Sequence, residues 1–231
     1  MTMVKNKLFA LLFRLCALLF ALIGILKSIG VFSGTVSFGS FMYYTFQSNL
    51  LAVFLFSFLA VRTAGSLRAG LQGCVGRHTR LAMVCAVDLL VTMIVFWALL
   101  APEVPASYLW TFDNIAVHTV SPLLCLLDFI LFSEVRLLKY RDIYYTCIFP
   151  LFYLAFATVA GFSGYVYYYR LTPGSIYSSS LISVPVRFPY FFLDFDVLGV
   201  KAVIYIVVLF VFFILLGHLI YFVDRKRKPT E

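Results

Sequence analysis

Apolar residues run through the chain in six long blocks, at about 8–32, 41–61, 81–101, 112–132, 144–169 and 200–223, separated by short polar or glycine-rich breaks. Each block reaches the roughly 20 residues that a helix needs to cross hydrocarbon. The pattern therefore predicts an all-α integral membrane protein, a bundle of six transmembrane helices. The first block is longer than a signal-peptide core and has no clear small-residue cleavage site, so it reads as a retained helix. Little chain is left for a soluble part, and residues 1–231 read as a single membrane domain. The link 33–40 is short and rich in Gly and Ser, which makes the first two helices antiparallel neighbours.

Polar residues inside such blocks are costly in lipid, so their placement carries information. The second block opens with Thr45, Gln47, Ser48 and Asn49; at 100° per residue Ser48 and Asn49 fall within about 60° of Thr45, and Gln47 points elsewhere. In the fourth block Asn114, His118, Ser121 and Cys125 share one stripe. Pro122 lacks a backbone donor, which predicts a kink that frees the His118 carbonyl. The ionisable residues Arg14, Asp88 and Asp128 fall in the first, third and fourth blocks.

Composition sharpens this picture. The chain is 63% hydrophobic and 12% charged with 26 Phe, too apolar for a soluble domain. Its net charge of +8 does not point to nucleic acid, because the charge follows topology. With the N-terminus inside, the inner segments carry Lys5, Lys7, Arg62, Arg68, Arg77, Arg80, Arg136, Lys139, Arg141 and the run Arg225 to Lys228. Outer segments and span ends hold only Lys27, Arg170, Arg187 and Lys201. This positive-inside bias puts both termini in the cytoplasm, in a plasma or bacterial inner membrane. The basic tail 224–231 reads as an anchor to anionic lipid. Trp97, Tyr108 and Trp110 sit where an outer aromatic belt belongs, and Tyr165, Tyr167, Tyr168 and Tyr169 continue it. The outer loop 170–199, long and aromatic, is expected to lie across the bundle mouth. Cys16, Cys74, Cys85, Cys125 and Cys147 form no CxxC pair and read as small apolar residues in a reducing compartment. Nothing in the pattern sets an oligomeric state.

Chemistry follows from depth, since a nucleophile and its base must meet within hydrogen-bond reach. Thr45 lies about 6 Å and His118 about 9 Å below the outer end of their helices, at 1.5 Å per residue. His78 and His218 are on the inner side, so only His118 can serve Thr45. The competing reading is a threonine bonded back to a carbonyl one turn earlier, or an interhelical contact with no chemistry. Asn49 and Ser48 are spaced to stabilise an oxyanion, and Asn114 to orient the imidazole. The run Gly161-Phe162-Ser163-Gly164 spells the GxSG of rhomboid proteases, but Ser163 and His218 are about 15 Å apart along the membrane normal. Close helix packing is the expected use of that run. Arg14, Asp88 and Asp128 are expected to form an inner ion cluster, with snorkelling of each to the headgroups as the alternative. No metal or other cofactor is expected, because one buried histidine without a nearby Cys or carboxylate set is too few.

Tyr44-Thr45 on the second helix and Asn114-Ile115-Ala116-Val117-His118-Thr119 on the fourth resemble the androgen-induced (androgen-dependent) family of six-span membrane threonine hydrolases. The HTVSPLLCLLDFILF stretch and the RFPYFFLDFD loop are more similar to the family's microbial relatives, whose role is unassigned. The resemblance implies a six-span fold and cleavage of fatty acid esters of hydroxy fatty acids, with Thr45 as nucleophile and His118 as its partner. It implies membrane lipids and a lipid-like ester as the molecules met. The alternatives are a small transporter or proton relay along Thr45, Asn49, His118, Ser121, Thr92, Asp128 and Asp88, or a membrane protein without catalysis. No internal repeat or broken-helix pair supports transport.

Overall fold

The computed structural model describes residues 2–70, 78–175 and 178–228. Cys74, Arg77, the centre of the 62–80 linker and the end of the tail lie outside the described residues. Among the described residues six helices are long and apolar enough to cross a membrane: Lys7–Ser28, Tyr44–Arg68, Thr79–Glu103, Phe112–Phe132, Tyr140–Phe162 and Phe195–Lys226. They fit a multi-pass integral membrane protein. The chain divides into two compact units, residues 1–148 with 213–231, and residues 149–212.

In the first unit, α1 (Lys7–Ser28) starts at Asn6, whose side chain accepts the Phe9 amide at 3.0 Å. It ends at Ser28 rather than Phe32 because Gly30 turns left-handed (φ 81°), where a side chain would run into the Thr35 carbonyl. A 3₁₀ turn over Phe38–Met42 delays α2 (Tyr44–Arg68), which continues past Val61 so that Arg62 and Arg68 are helical. Thr45 therefore lies in the first turn of α2, not one turn inside it.

Helix α3 (Thr79–Val95) is extended by a π-turn at Phe96–Leu100 and a 3₁₀ turn at Ala101–Glu103. After the short α4 (Ala106–Leu109), the fourth span is built from α5 (Phe112–Ile115), a π-turn (Ala116–Val120) and α6 (Ser121–Phe132). Near Pro122 the helix absorbs the irregularity as this wide turn, in which the Ser121 amide reaches back to the Ala116 carbonyl. α1 packs against α2 and α6, and α3 packs against the same two, closing a ring of four spans. Gly24 brings α1 against the wide turn: a Cβ there would stand 3.0 Å from Ala116 Cβ and 3.1 Å from Val117 Cγ1.

The unit is closed by the 3₁₀ helix Tyr140–Cys147 and by the end of the last helix. There one residue of the basic tail departs from the expected lipid anchor. Arg225 and Lys226 are exposed, but Arg227 is buried. Its guanidinium donates to the carbonyls of Phe129 (2.6 Å), Ile130 (2.7 Å) and Glu134 (3.1 Å) and to Asp224 (2.6 Å), closing the C-terminal end of α6. Asp224 in turn accepts the amides of Arg136 and Leu138.

The second unit holds most of α7 (Ile148–Phe162), the hairpin β1 (Tyr168–Ser175) with β2 (Ser178–Val186), α8 (Phe195–Leu198) and the first part of α9 (Ala202–Lys226). The fifth helix thus ends at Phe162, not Tyr169, and Tyr168 and Tyr169 belong to a strand. The hairpin is the one sheet among the described residues, with Tyr168 opposite Val186 and Ser175 opposite Ser178. Asp194 caps α8 and pairs with Arg170 at 3.8 Å, and Arg187 pairs with Asp196. Gly161 meets the returning chain rather than a helix; its missing side chain leaves room for Phe188 and for the Arg187 carbonyl, 2.8 Å from an added Cβ.

Candidate functional site

Where α2, α3 and the fourth span meet, the Thr45 hydroxyl lies 3.3 Å from His118 Nε2. The other ring nitrogen, Nδ1, is 3.1 Å from the Asn114 carbonyl. A carbonyl only accepts, so Nδ1 carries the hydrogen of the neutral ring and Nε2 presents its lone pair to the Thr45 O–H. Phe96 stacks on the imidazole at 3.7 Å between centroids and 19° between planes, holding the ring in that orientation. His118 is buried and Thr45 half-buried. Thr63 and Thr92 do bond back to carbonyls four residues earlier, at 2.6 and 3.0 Å. The Thr45 hydroxyl does not; its one partner among the described residues is the imidazole.

The neighbours expected to assist have other tasks. Asn49 donates its two amide hydrogens to the Thr45 carbonyl (2.9 Å) and the Val117 carbonyl (3.0 Å). The second acceptor is one that the π-turn releases, because the Ser121 amide bonds Ala116 instead. Asn49 thus ties α2 to the wide turn and has no donor left for an oxyanion. Ser48 pairs with Thr92 at 3.0 Å and with the Thr45 carbonyl at 3.1 Å. Asn114 orients the imidazole through its backbone carbonyl, while its side chain donates to the Leu109 carbonyl at 2.8 Å. Donors nearer the nucleophile are the amides of Thr45 and Phe46. They lie in the first turn of α2, which lacks intrahelical acceptors for its amides, and no side chain caps that end.

No family model, curated protein or solved structure matches this chain. The site therefore stands on its own geometry.

The three-residue ion cluster is not formed. Arg14 is 1% exposed and binds Asp128 through Nε (2.7 Å) and Nη2 (3.4 Å), while Nη1 donates to Thr63 at 2.7 Å. Asp88 stands apart; it accepts the Tyr44 hydroxyl at 3.0 Å, and its second oxygen has no hydrogen-bond partner. Sequence depth puts all three in the inner half, yet Asp88 meets Tyr44, the first residue of α2. His218 donates from Nδ1 to the Ile214 carbonyl and accepts the Tyr140 hydroxyl at Nε2, so both nitrogens are occupied. Among the described residues no group of three His, Cys, Asp or Glu could hold a metal ion.

Phe96, Thr63, Tyr44 and the two π-turns escape a reading by composition and periodicity. Pro122, just after the second π-turn, is the visible trace of one of them.

Proposed function

We propose that this chain is an intramembrane hydrolase of lipid esters, with Thr45 as nucleophile and His118 as general base. The observation that carries the reading is the Thr45–His118 contact, with the imidazole fixed on its far side by Asn114 and on its face by Phe96. Nε2 takes the Thr45 proton as Oγ1 bonds the ester carbonyl carbon, and the imidazolium then returns that proton to the departing alcohol. Water, deprotonated by the same nitrogen, cleaves the acyl-threonine and releases the acid. The first-turn amides of α2, at the positive end of its dipole, suit the oxyanion. The resemblance of the Tyr44-Thr45 and Asn-x-x-x-His-Thr motifs to the androgen-induced threonine hydrolases supports the same pair and a fatty acyl ester as substrate. The distribution of basic residues supports cytoplasmic termini, which opens the site toward the outer leaflet of a plasma or bacterial inner membrane.

The test is hydrolysis of a panel of lipid esters by purified protein. Thr45→Ala is expected to fall to background and His118→Ala to lose about 10³-fold. Turnover unchanged in both variants would reject the reading.

One observation favours a second reading, a proton path: the buried Asp88 carboxylate takes the Tyr44 hydroxyl, although the next links, from Thr92 to the Asp88 carbonyl and from Ser48 to Thr92 and the Thr45 carbonyl, end on backbone oxygens. Against it, Asp128 is closed in its pair with Arg14. Proteoliposomes holding a pH dye separate the two, since a proton flux abolished by Asp88→Asn belongs to a relay and not to a hydrolase.

A further inference from the structure

At the start of α3 the first unit holds a second polar feature that the Thr45–His118 pair does not use. A cavity of about 510 Å³ opens there between the first turns of α3 and the 3₁₀ helix Tyr140–Cys147, lined by His78, Arg80, Leu81, Asp142, Tyr145 and Ile148 among others. Arg80 is held on two sides: its Nε lies 2.9 Å from Asp142 Oδ1, and its guanidinium lies over the Tyr145 ring at 4.9 Å. Its two terminal nitrogens have no partner among the described residues, so a planar two-donor fork is fixed in place and left open. His78 packs edge-on against Phe58 at 4.7 Å, and its Nε2 is buried without a hydrogen-bond partner. Burial, and then the positive charge of nearby Arg62, hold the His78 imidazole below its ordinary pKa. Arg62 itself is exposed and meets no acid among the described residues. One carboxylate, already paired with Arg80, thus lines the cavity with an unsatisfied imidazole, and Arg62 lies near that imidazole.

We propose that this cavity binds the phosphate headgroup of an anionic phospholipid, from the leaflet that meets the start of α3. Arg80 would take two phosphate oxygens and His78 Nε2–H a third, with Arg62 adding field from the rim. A soluble phosphate needs only those nitrogens. The apolar wall beside them argues for a lipid: Leu81, Leu137 and Ile148 are 41%, 49% and 46% exposed and line the same cavity as Arg80 and His78, which suits glycerol and an acyl chain. The proposal shares no residue with the Thr45–His118 site and does not depend on hydrolase activity.

Delipidated full-length protein in detergent, titrated with phosphatidylglycerol, with phosphatidylcholine of the same chains and with inorganic phosphate, tests it by native mass spectrometry and melting temperature. One phosphatidylglycerol retained per chain, with a raised melting temperature that phosphatidylcholine does not give, is the expected result. Arg62→Gln is expected to weaken retention about fivefold, His78→Phe to weaken it as well, and Lys226→Gln to leave it unchanged. Because Arg80→Gln strands the buried Asp142 and can unfold the protein, Arg80→Lys is the variant of choice. It keeps the charge, loses the fork, and should bind phosphatidylglycerol more weakly with an unchanged melting temperature in the absence of lipid. Equal binding of phosphatidylcholine would overturn the proposal, as would a full stabilisation by inorganic phosphate alone. So would an equal loss in Lys226→Gln, which would mean surface charge without a site.

Discussion

A threonine hydroxyl in a helix normally satisfies itself on a carbonyl of the preceding turn, as Thr63 and Thr92 do here. Thr45 is freed from that habit by its place at the start of α2, and the hydroxyl turns to His118 instead. The imidazole's orientation then matters as much as its proximity. Phe96→Leu keeps the site apolar but removes the stacked plane; a fall in turnover of up to about tenfold is expected, with melting little changed. Kinetics and a melting curve on the same preparation check it. The pairing of Thr45 with His118 was legible because only one histidine shares that threonine's depth. Depth groups Asp88 with Arg14, but its carboxylate takes the hydroxyl of Tyr44 at the start of α2. At Asp128, Asp128→Ala leaves Arg14 buried without a counter-charge and should cost about 3–5 kcal/mol of stability. An Arg14→Met/Asp128→Leu double variant should recover most of it in detergent unfolding assays.

Among the elements, the wide turn Ala116–Val120 organises the site. It releases the Val117 carbonyl to Asn49, and His118 lies at its centre. Hydrophobic periodicity reported the span but not this feature, because one residue inserted into an apolar helix hardly disturbs its apolar character. Pro122 predicts a kink, and the structure shows a wide turn just before it. The turn also rests on Gly24, the closest approach of α1. Gly24→Val inserts two methyl groups where even a Cβ has 3.0–3.1 Å of room. It should displace His118 from Thr45, losing at least tenfold in turnover and about 1–3 kcal/mol in stability. Gly65→Val, at a position with nothing near its added Cβ, is the matched control.

Over the whole chain, the six-span layout could be read from apolar block length alone, and the helix ends could not. Those ends are set by local events such as the left-handed Gly30, the 3₁₀ turn before Tyr44, and a hairpin that claims Tyr168 and Tyr169 from the fifth helix. The C-terminal end was the least legible part, because Arg227 differs in no sequence property from exposed Arg225. Only the fold shows that it closes three carbonyls beside buried Asp224. Arg227→Ala is expected to cost about 3 kcal/mol or more, and Lys226→Ala nothing measurable. Melting of the two variants side by side decides this.

A π-turn holds one residue more than the α-turn it replaces, so the fourth span carries a supernumerary residue whose removal is sterically easy. Deleting one residue between Ala116 and Val120 other than His118 would restore ordinary helix with the two flanking segments near their present directions, because the wide turn already absorbs the extra residue. What would change is the turn itself, and with it the Val117 carbonyl that Asn49 holds. Residue count within those five positions therefore governs the tie between α2 and the fourth span.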